Sequence, residues 1–125
     1  MRRYYAVLAI SLLAACQSAP EPAPAPVSAK GYVIAEIEVT NPEPYKDYVQ
    51  AATEIVAAHG GTYLVRGGPS AALEGAAPKG RLVVIEFPSL AAAEAFANSP
   101  EYLEAAKIRQ ANAVSRVILV EGKMP

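Results

Sequence analysis

The sequence predicts an α+β domain in which the order strand–helix–strand occurs twice. Short β-rich segments alternate with apolar stripes at helical spacing, and each half of the domain contains one such stripe between two strands. A glycine-rich connection at residues 67–80 separates the halves. Only residues 30–125 of the 125-residue chain carry this pattern, which predicts a single folded domain preceded by segments of another kind.

The first 15 residues have the layout of an export signal. Arg2 and Arg3 precede an apolar run that is shorter than the about 20 residues needed to span a bilayer. The run ends in LLAAC, which resembles the lipobox of bacterial lipoproteins. The resemblance implies a signal peptide at 1–15, a lipid such as palmitate on Cys16, and membrane attachment in the bacterial cell envelope, on the periplasmic or another extracytoplasmic side. The alternative is an ordinary signal peptide cleaved nearby, with Cys16 incidental.

Residues 16–29, CQSAPEPAPAPVSA, are predicted to be a proline- and alanine-rich tether. Alternating prolines favour an extended polyproline II conformation, which at about 3.1 Å per residue would hold a domain roughly 40 Å from a membrane. A ligand for a proline-recognising groove is the alternative interpretation.

Charge and composition exclude several function classes for residues 30–125. Nine Lys and Arg oppose eleven Asp and Glu, a net charge of −2, which gives no basic face for nucleic acid. Cys16 is the only cysteine, so no intramolecular disulfide forms. One histidine without an available cysteine cannot build a zinc site, and we expect neither a metal nor a cofactor. Axial ligation of haem by the histidine is the remaining exception.

The first half of the domain begins with a β-rich segment, Gly31–Val39. Asn41-Pro42 has the form of an N-cap followed by proline at the first helical position. Gly60 is placed to end this helix in a left-handed conformation, and Thr62–Arg66 forms the second strand. The apolar stripe of the helix consists of Tyr45, Tyr48, Val49, Ala52, Ile55 and Val56.

The second half repeats the pattern. Arg81–Phe87 is a strand, Ser89 caps a helix, Ser99-Pro100 restarts that helix after a break, and Val114–Val120 is the last strand. Two β-α-β units with right-handed crossovers predict a ferredoxin-like βαββαβ fold, a four-stranded antiparallel sheet with the helices on one face.

Strand alternation assigns the residues of the sheet to two faces. The face expected beneath the helices is wholly apolar and consists of Val33, Ala35, Ile37, Val39, Val83, Ile85, Phe87, Val117 and Leu119. The opposite face consists of Tyr32, Ile34, Glu36, Glu38, Leu82, Val84, Glu86, Arg116, Ile118 and Val120. A solvated face does not carry so many branched aliphatic side chains, so we expect a twofold partner, a second copy of the chain, to cover it.

Residues 31–122 resemble the domain of unknown function 1330 family, within the dimeric α/β-barrel superfamily. The matching stretches are GYVIAEIEVTNPEPYKDY, HGGTYLVRGG, VVIEFPSLAAAEAF, SPEYLEAAKIRQ and VILVEG. The resemblance implies a homodimer of ferredoxin-like subunits, a dimeric α/β barrel, with a pocket between sheet and helices. It implies no particular reaction.

His59 and Glu86 are the candidate catalytic residues. His59 extends the stripe of the first helix towards the sheet and is suited to proton transfer near neutral pH, although it equally suits the end of a helix dipole. Glu86 is an acid in an otherwise apolar strand, where its pKa would rise; a salt bridge to Arg116 or Arg66 is the alternative. Since strands two and three are expected to be antiparallel neighbours, we expect His59 to pair with Glu86.

Four further residues are candidates for binding a small molecule: Arg66, Tyr102, Arg109 and Glu36. Arg66 is expected on the second sheet face, where it would bind a ligand carboxylate or pair with Glu36 or Glu86. Tyr102 and Arg109 would line a pocket entrance, or be a core aromatic and a surface cation.

Two function hypotheses follow. In the first, the chain is a membrane-anchored lipoprotein whose domain binds a small molecule beside the sheet, with or without cofactor-independent catalysis. In the second, it is a non-catalytic envelope module for protein interaction or structure. Convergence of His59, Arg66 and Glu86 in one groove would favour the first hypothesis, and a groove filled by tyrosine and leucine would favour the second.

The lipid anchor is tested by Cys16→Ser. Because the thiol would carry the lipid, we expect the variant to leave the membrane fraction or to accumulate unprocessed, as followed by fractionation and intact mass. Recovery of the wild-type protein as a lipid-free soluble species would contradict the assignment.

Overall fold

The computed structural model describes residues 16–24 and 26–125. The predicted signal peptide at 1–15 lies outside the described residues. The described elements are β1 (Gly31–Val39), α1 (Pro42–Ala58), β2 (Thr62–Arg66), β3 (Arg81–Phe87), α2 (Leu90–Ala97), α3 (Pro100–Asn112) and β4 (Ala113–Glu121). This order confirms the predicted α+β, ferredoxin-like fold.

The strands form one antiparallel sheet in the order β2-β3-β1-β4. In the centre of the sheet, Ala35 of β1 lies opposite Val83 of β3 on one side and Val117 of β4 on the other. The two chain ends of the domain meet at one corner, where the backbone N–H of Gly122 donates to the carbonyl of Lys30 at 2.7 Å. The sheet therefore places β2 and β4 at its edges and both chain ends beside β1.

Local signals set most of the helix ends. The side chains of Ser89 and Ser99 accept hydrogen bonds from the backbone N–H groups of Ala92 and Tyr102, as serine N-caps do. Asn41 precedes Pro42 as expected, but its side chain makes no capping hydrogen bond, so proline alone marks the start of α1.

Gly60 and Gly61 turn the chain from α1 into β2. Gly60 has a φ of +76°, which a glycine adopts without steric cost. A Cβ on Gly61 would lie 2.7 Å from Val56 and 2.8 Å from Phe87, so the absence of a side chain lets the turn pack on the core. Gly60 and Gly61 therefore have a structural role, as the sequence predicts for Gly60.

The core lies between the sheet and the helices. Phe87 of β3 and Phe96 of α2 are almost completely buried and stack with ring centroids 5.0 Å apart, and Val56 of α1 is equally buried. Burial of an aromatic or branched side chain of this kind contributes about 1.5–3 kcal/mol.

The helices cover β4 only in part. Val117 pairs with Ala35 and lines the helix side of the sheet, as expected, but Val117 and Leu119 retain 38% and 40% of their exposure. They are less buried than expected because β4 is an edge strand, whereas the inward residues of the central strands β1 and β3 are buried.

The second face of the sheet is open in the described chain. Ile34 and Val84 are half-buried, and Ile118 and Val65 beside them are 46% and 40% exposed. No helix described within residues 16–24 and 26–125 is long and apolar enough to cross a membrane.

Candidate functional site

A cavity lies between the helix-facing side of the sheet and α1. Its free volume is about 30 Å³, and the space between its walls, including the part open to solvent, is about 470 Å³. Aliphatic side chains of β1 and β3 form its floor. Its aromatic and charged lining consists of Tyr45, Tyr48, Tyr63, Phe96, Tyr102, Arg66 and Arg81.

Tyrosine side chains form much of the wall of this cavity. Tyr45 and Tyr48 lie one helical turn apart on α1 with ring centroids 5.4 Å apart, and Tyr102 of α3 stacks on Phe96 at 4.3 Å. Burial raises the pKa values of Tyr45, Tyr48 and Tyr63, and the nearby Tyr102 hydroxyl raises the pKa of Tyr48 further. These phenols therefore stay protonated and present hydroxyl groups rather than charge.

Two arginines form one end of the cavity, which we call the arginine end. The guanidinium of Arg66 lies 4.2 Å from the centroid of the Tyr63 ring and donates to Thr53 Oγ1 at 2.5 Å. The guanidinium of Arg81 lies 6.0 Å from the Tyr45 ring centroid. Arg66 is exposed and Arg81 is half-buried, so solvent reaches the cavity at this end.

A β-bulge in β2 places Arg66 on the cavity side. Tyr63 lies opposite Ile85, but Val65 lies opposite Val84, so Leu64 is an extra residue without a partner. One extra residue reverses the alternation, and Arg66 then faces the helices together with Tyr63. The expectation that Arg66 lies on the second sheet face with Glu36 or Glu86 is therefore wrong.

Arg109 lies behind the tyrosines at the end of α3. It is 7% exposed, its guanidinium lies 5.7 Å from the Tyr48 ring centroid, and one of its amino groups donates to Ser115 Oγ of β4. Its Nε is buried without a hydrogen-bond partner in the described part of the chain. Tyr102 and Arg109 thus contact Tyr48 on its buried side. Arg109 is buried, so the alternative that it is a surface cation is wrong.

The structure does not bring His59 and Glu86 together. His59 is half-buried at the end of α1 and lies edge-on to Phe96, with ring centroids 6.0 Å apart. Glu86 faces the opposite side of the sheet, where its carboxylate accepts a hydrogen bond of 3.0 Å from the Tyr32 hydroxyl. The expected pairing is wrong because alternate residues of β3 point to opposite faces and the sheet lies between these two side chains.

Glu36 also lies on the second sheet face. Its carboxylate accepts hydrogen bonds from the backbone N–H of Lys79 at 2.7 Å and from Arg116 at 3.1 Å. These contacts lower the pKa of Glu36 and commit Arg116 to Glu36 rather than to Glu86. No cluster of three potential metal-ligating side chains occurs within the described ranges 16–24 and 26–125.

Sequence reasoning did not select Tyr45, Tyr48, Tyr63 or Arg81 as site residues. A signal was present, because five of the seven tyrosines belong to residues 30–125 and two of these occupy the apolar stripe of α1. A buried tyrosine needs a partner for its hydroxyl, so tyrosines on a core-facing stripe indicate a polar interior.

The match to known families agrees with this architecture. The model of the family "Domain of unknown function (DUF1330)" matches residues 30–123, which is three quarters of the chain. The chain belongs to the DUF1330 family. No curated protein matches it at a significant level.

Solved structures similar to this DUF1330 domain share its fold. RPA0582, a protein of unknown function from Rhodopseudomonas palustris, is 24% identical with a TM-score of 0.62 and covers 78% of this chain and 85% of its own. A dimeric ferredoxin-like protein of unknown function from Jannaschia sp. CCS1 is 19% identical with a TM-score of 0.54 (74% and 98%). SnoaB, a cofactor-independent oxygenase from Streptomyces nogalater, is 14% identical with a TM-score of 0.52 (78% and 97%).

The buried phenols predict a loss of stability at alkaline pH. Because their folded pKa values lie above the unfolded value of about 10, their contribution is complete below pH 10 and is lost as pH rises towards the folded values. One such group changes the free energy of unfolding by up to about 1.4 kcal/mol per pH unit.

We expect Tyr48→Phe to reduce the steepness of this loss in urea unfolding followed between pH 9 and 11, because the variant has one fewer raised phenol. Equal dependence on pH in the variant and the wild type would contradict the burial of the Tyr48 hydroxyl.

Proposed function

We propose that this chain is an envelope lipoprotein whose DUF1330 domain binds a small molecule in the cavity between sheet and helices. One observation carries the proposal: Tyr45, Tyr48, Tyr63 and Arg81 line one cavity together with the aliphatic floor of β1 and β3, and the cavity opens to solvent. Apolar walls with a few polar groups are typical of small-molecule sites.

The small free volume of the cavity determines how a ligand can bind. About 30 Å³ holds no more than a few water molecules, so a ligand inserts only a small apolar group between the tyrosines and lies mainly in the part open to solvent. His59, Arg66 and Glu86 do not converge in one groove, so the criterion that would have favoured a site built on these three residues is not met. The proposal rests instead on the space left between the tyrosines and on its opening at Arg66 and Arg81, and it is limited to binding. The likeness to the oxygenase SnoaB extends to the fold and carries no activity to this chain.

The N-terminal segment supports attachment to a membrane. Residues 16–24 and 26–28 are exposed and have no regular secondary structure, as a proline-rich tether requires, and Cys16 is exposed at the start of the described segment. A lipid on Cys16 would place the domain outside the cytoplasm at a membrane surface.

The second sheet face supports a homodimer. Its open aliphatic side chains are those a second copy would cover, and the similar Jannaschia protein is described as dimeric. A specific interface buries on the order of 800 Å² per partner, which the sheet face of a domain of this size can supply.

The dimer is tested with Val84→Arg, which places two symmetry-related cations in the apolar patch. We expect a dimer for the wild type and a monomer for the variant in sedimentation velocity, with circular dichroism confirming that the variant folds. Leu103→Arg adds the same charge at an exposed position on α3 and should leave the dimer intact. A wild type that sediments as a monomer at micromolar concentration would refute the interface.

Small-molecule binding is tested on the full chain in detergent with phenol, phenylacetamide and phenylacetate as probes. We expect at least one probe to shift the NMR methyl signals of Val33, Val83 and Ile85 in a saturable manner. The methyl signals of Ile34, Val84 and Ile118 on the other face should stay unchanged and serve as an internal control.

Ala52→Val is a variant that should abolish probe binding, and Ala57→Val is its matched control. Ala52 lines the cavity, so two added methyl groups should fill its free volume and abolish the shifts. Ala57→Val makes the same change at an exposed position of α1 and should leave them intact. If no probe moves the cavity methyls, or if both faces of the sheet respond equally, the proposed function is wrong.

A further inference from the structure

Three arginines surround the tyrosine cavity without an acidic partner. Arg66 and Arg81 line it, and Arg109 lies behind Tyr48. Within residues 16–24 and 26–125, the ion pairs are Lys46–Glu43, Lys107–Glu104 and Arg116–Glu36. The cavity therefore carries positive charge that the described carboxylates do not neutralise at contact distance.

The two lining guanidiniums are held in place by neutral groups. Arg66 is fixed by the Tyr63 ring and by Thr53. Arg81 reaches the carbonyl of Arg66 at 3.5 Å and packs against Gly67, where a Cβ would lie 2.8 Å from its Nε. A guanidinium has five N–H donors, so these contacts leave several donors on each arginine free for a ligand.

Arg109 places a positive charge in the protein interior, where the loss of hydration destabilises it. Burial of a cation requires compensation, and its contacts with a serine hydroxyl and a tyrosine ring are neutral, with Nε unpartnered. The C-terminal end of α3 offsets only part of this cost. Both Arg81 and Arg109 act on the Tyr45 hydroxyl, where they lower the pKa against the larger effect of burial. The positive potential of the two cations thus extends across the cavity wall.

We propose that the ligand of this cavity is an organic anion with a small apolar end. Its carboxylate, or an equivalent oxyanion, is bound by Arg66 and Arg81 at the arginine end, and its apolar end enters the free space beside Tyr45 and Tyr48. Planar, forked guanidiniums suit a carboxylate in bidentate geometry. This inference rests on the proposed small-molecule binding and specifies the class of molecule.

An arginine can pack on a tyrosine ring without binding any ligand. The test is therefore whether the cavity binds a charged molecule more tightly than a neutral molecule of the same shape. Phenylacetate and phenylacetamide have the same shape and differ in charge, which isolates the electrostatic contribution. Titration of each into the full chain, followed by the Val83 and Ile85 methyl signals and by calorimetry, gives the ratio of the two dissociation constants.

We expect phenylacetate to bind at least about tenfold more tightly than phenylacetamide, because a hydrogen bond between two charged groups is stronger than one to a neutral amide. Arg81→Gln should reduce this ratio towards one, because it weakens the binding of phenylacetate more than that of phenylacetamide. Arg66→Gln, at an exposed position that tolerates substitution, should do the same and keeps the test valid if Arg81→Gln fails to fold. Arg116→Gln removes an arginine from the opposite sheet face and should leave the ratio unchanged.

The results separate the two proposals. Equal affinity for phenylacetate and phenylacetamide at the cavity methyls overturns the anion inference while the binding function stands. A preference for phenylacetate that persists in both Arg66→Gln and Arg81→Gln also overturns it, because the charge then acts elsewhere. The absence of any response at the cavity methyls overturns both.

Discussion

The sheet has two faces, and its helices can cover only one of them. Val33, Ile85 and Phe87 point into the helix layer and form the core floor, whereas Ile34 and Val84 point the other way and lie on an open surface. The cavity and the proposed dimer interface are therefore on opposite sides of the same strands. A change in the register of one strand would exchange their side chains and disrupt both.

The fold was predictable because its signals are local. Alternation predicted the strands, and helical spacing and serine caps predicted the helices. Gly60 follows the end of α1, as its position in the sequence indicated. The failures concern long-range packing. Alternation in VSRVILV indicates which face of the sheet each residue occupies, but it does not indicate how far the helices extend over that face. The exposure of Val117 and Leu119 on the edge strand could therefore not be predicted.

The candidate site was predictable only in part. Arg66 and Tyr102 line the cavity and Arg109 lies behind it, but Arg66 was assigned to the wrong face and Arg109 is buried rather than at an entrance. The cause of the wrong face is the bulge at Leu64, which reverses the alternation for Val65 and Arg66 and which nothing in the type of this residue indicates. The polar character of the cavity was also missed. Tyr45 and Tyr48 were counted as apolar members of the helix stripe, and such a count takes no account of the hydroxyl group on each ring.

The corner where Lys30 meets Gly122 sets where the proline-rich segment joins the domain. The segment enters beside Gly31, whereas Arg81 lies opposite Ile37, six residues further along β1 and so about 20 Å away. The segment and the arginine end therefore lie at opposite ends of the same strand, and none of the segment's described residues lines the cavity.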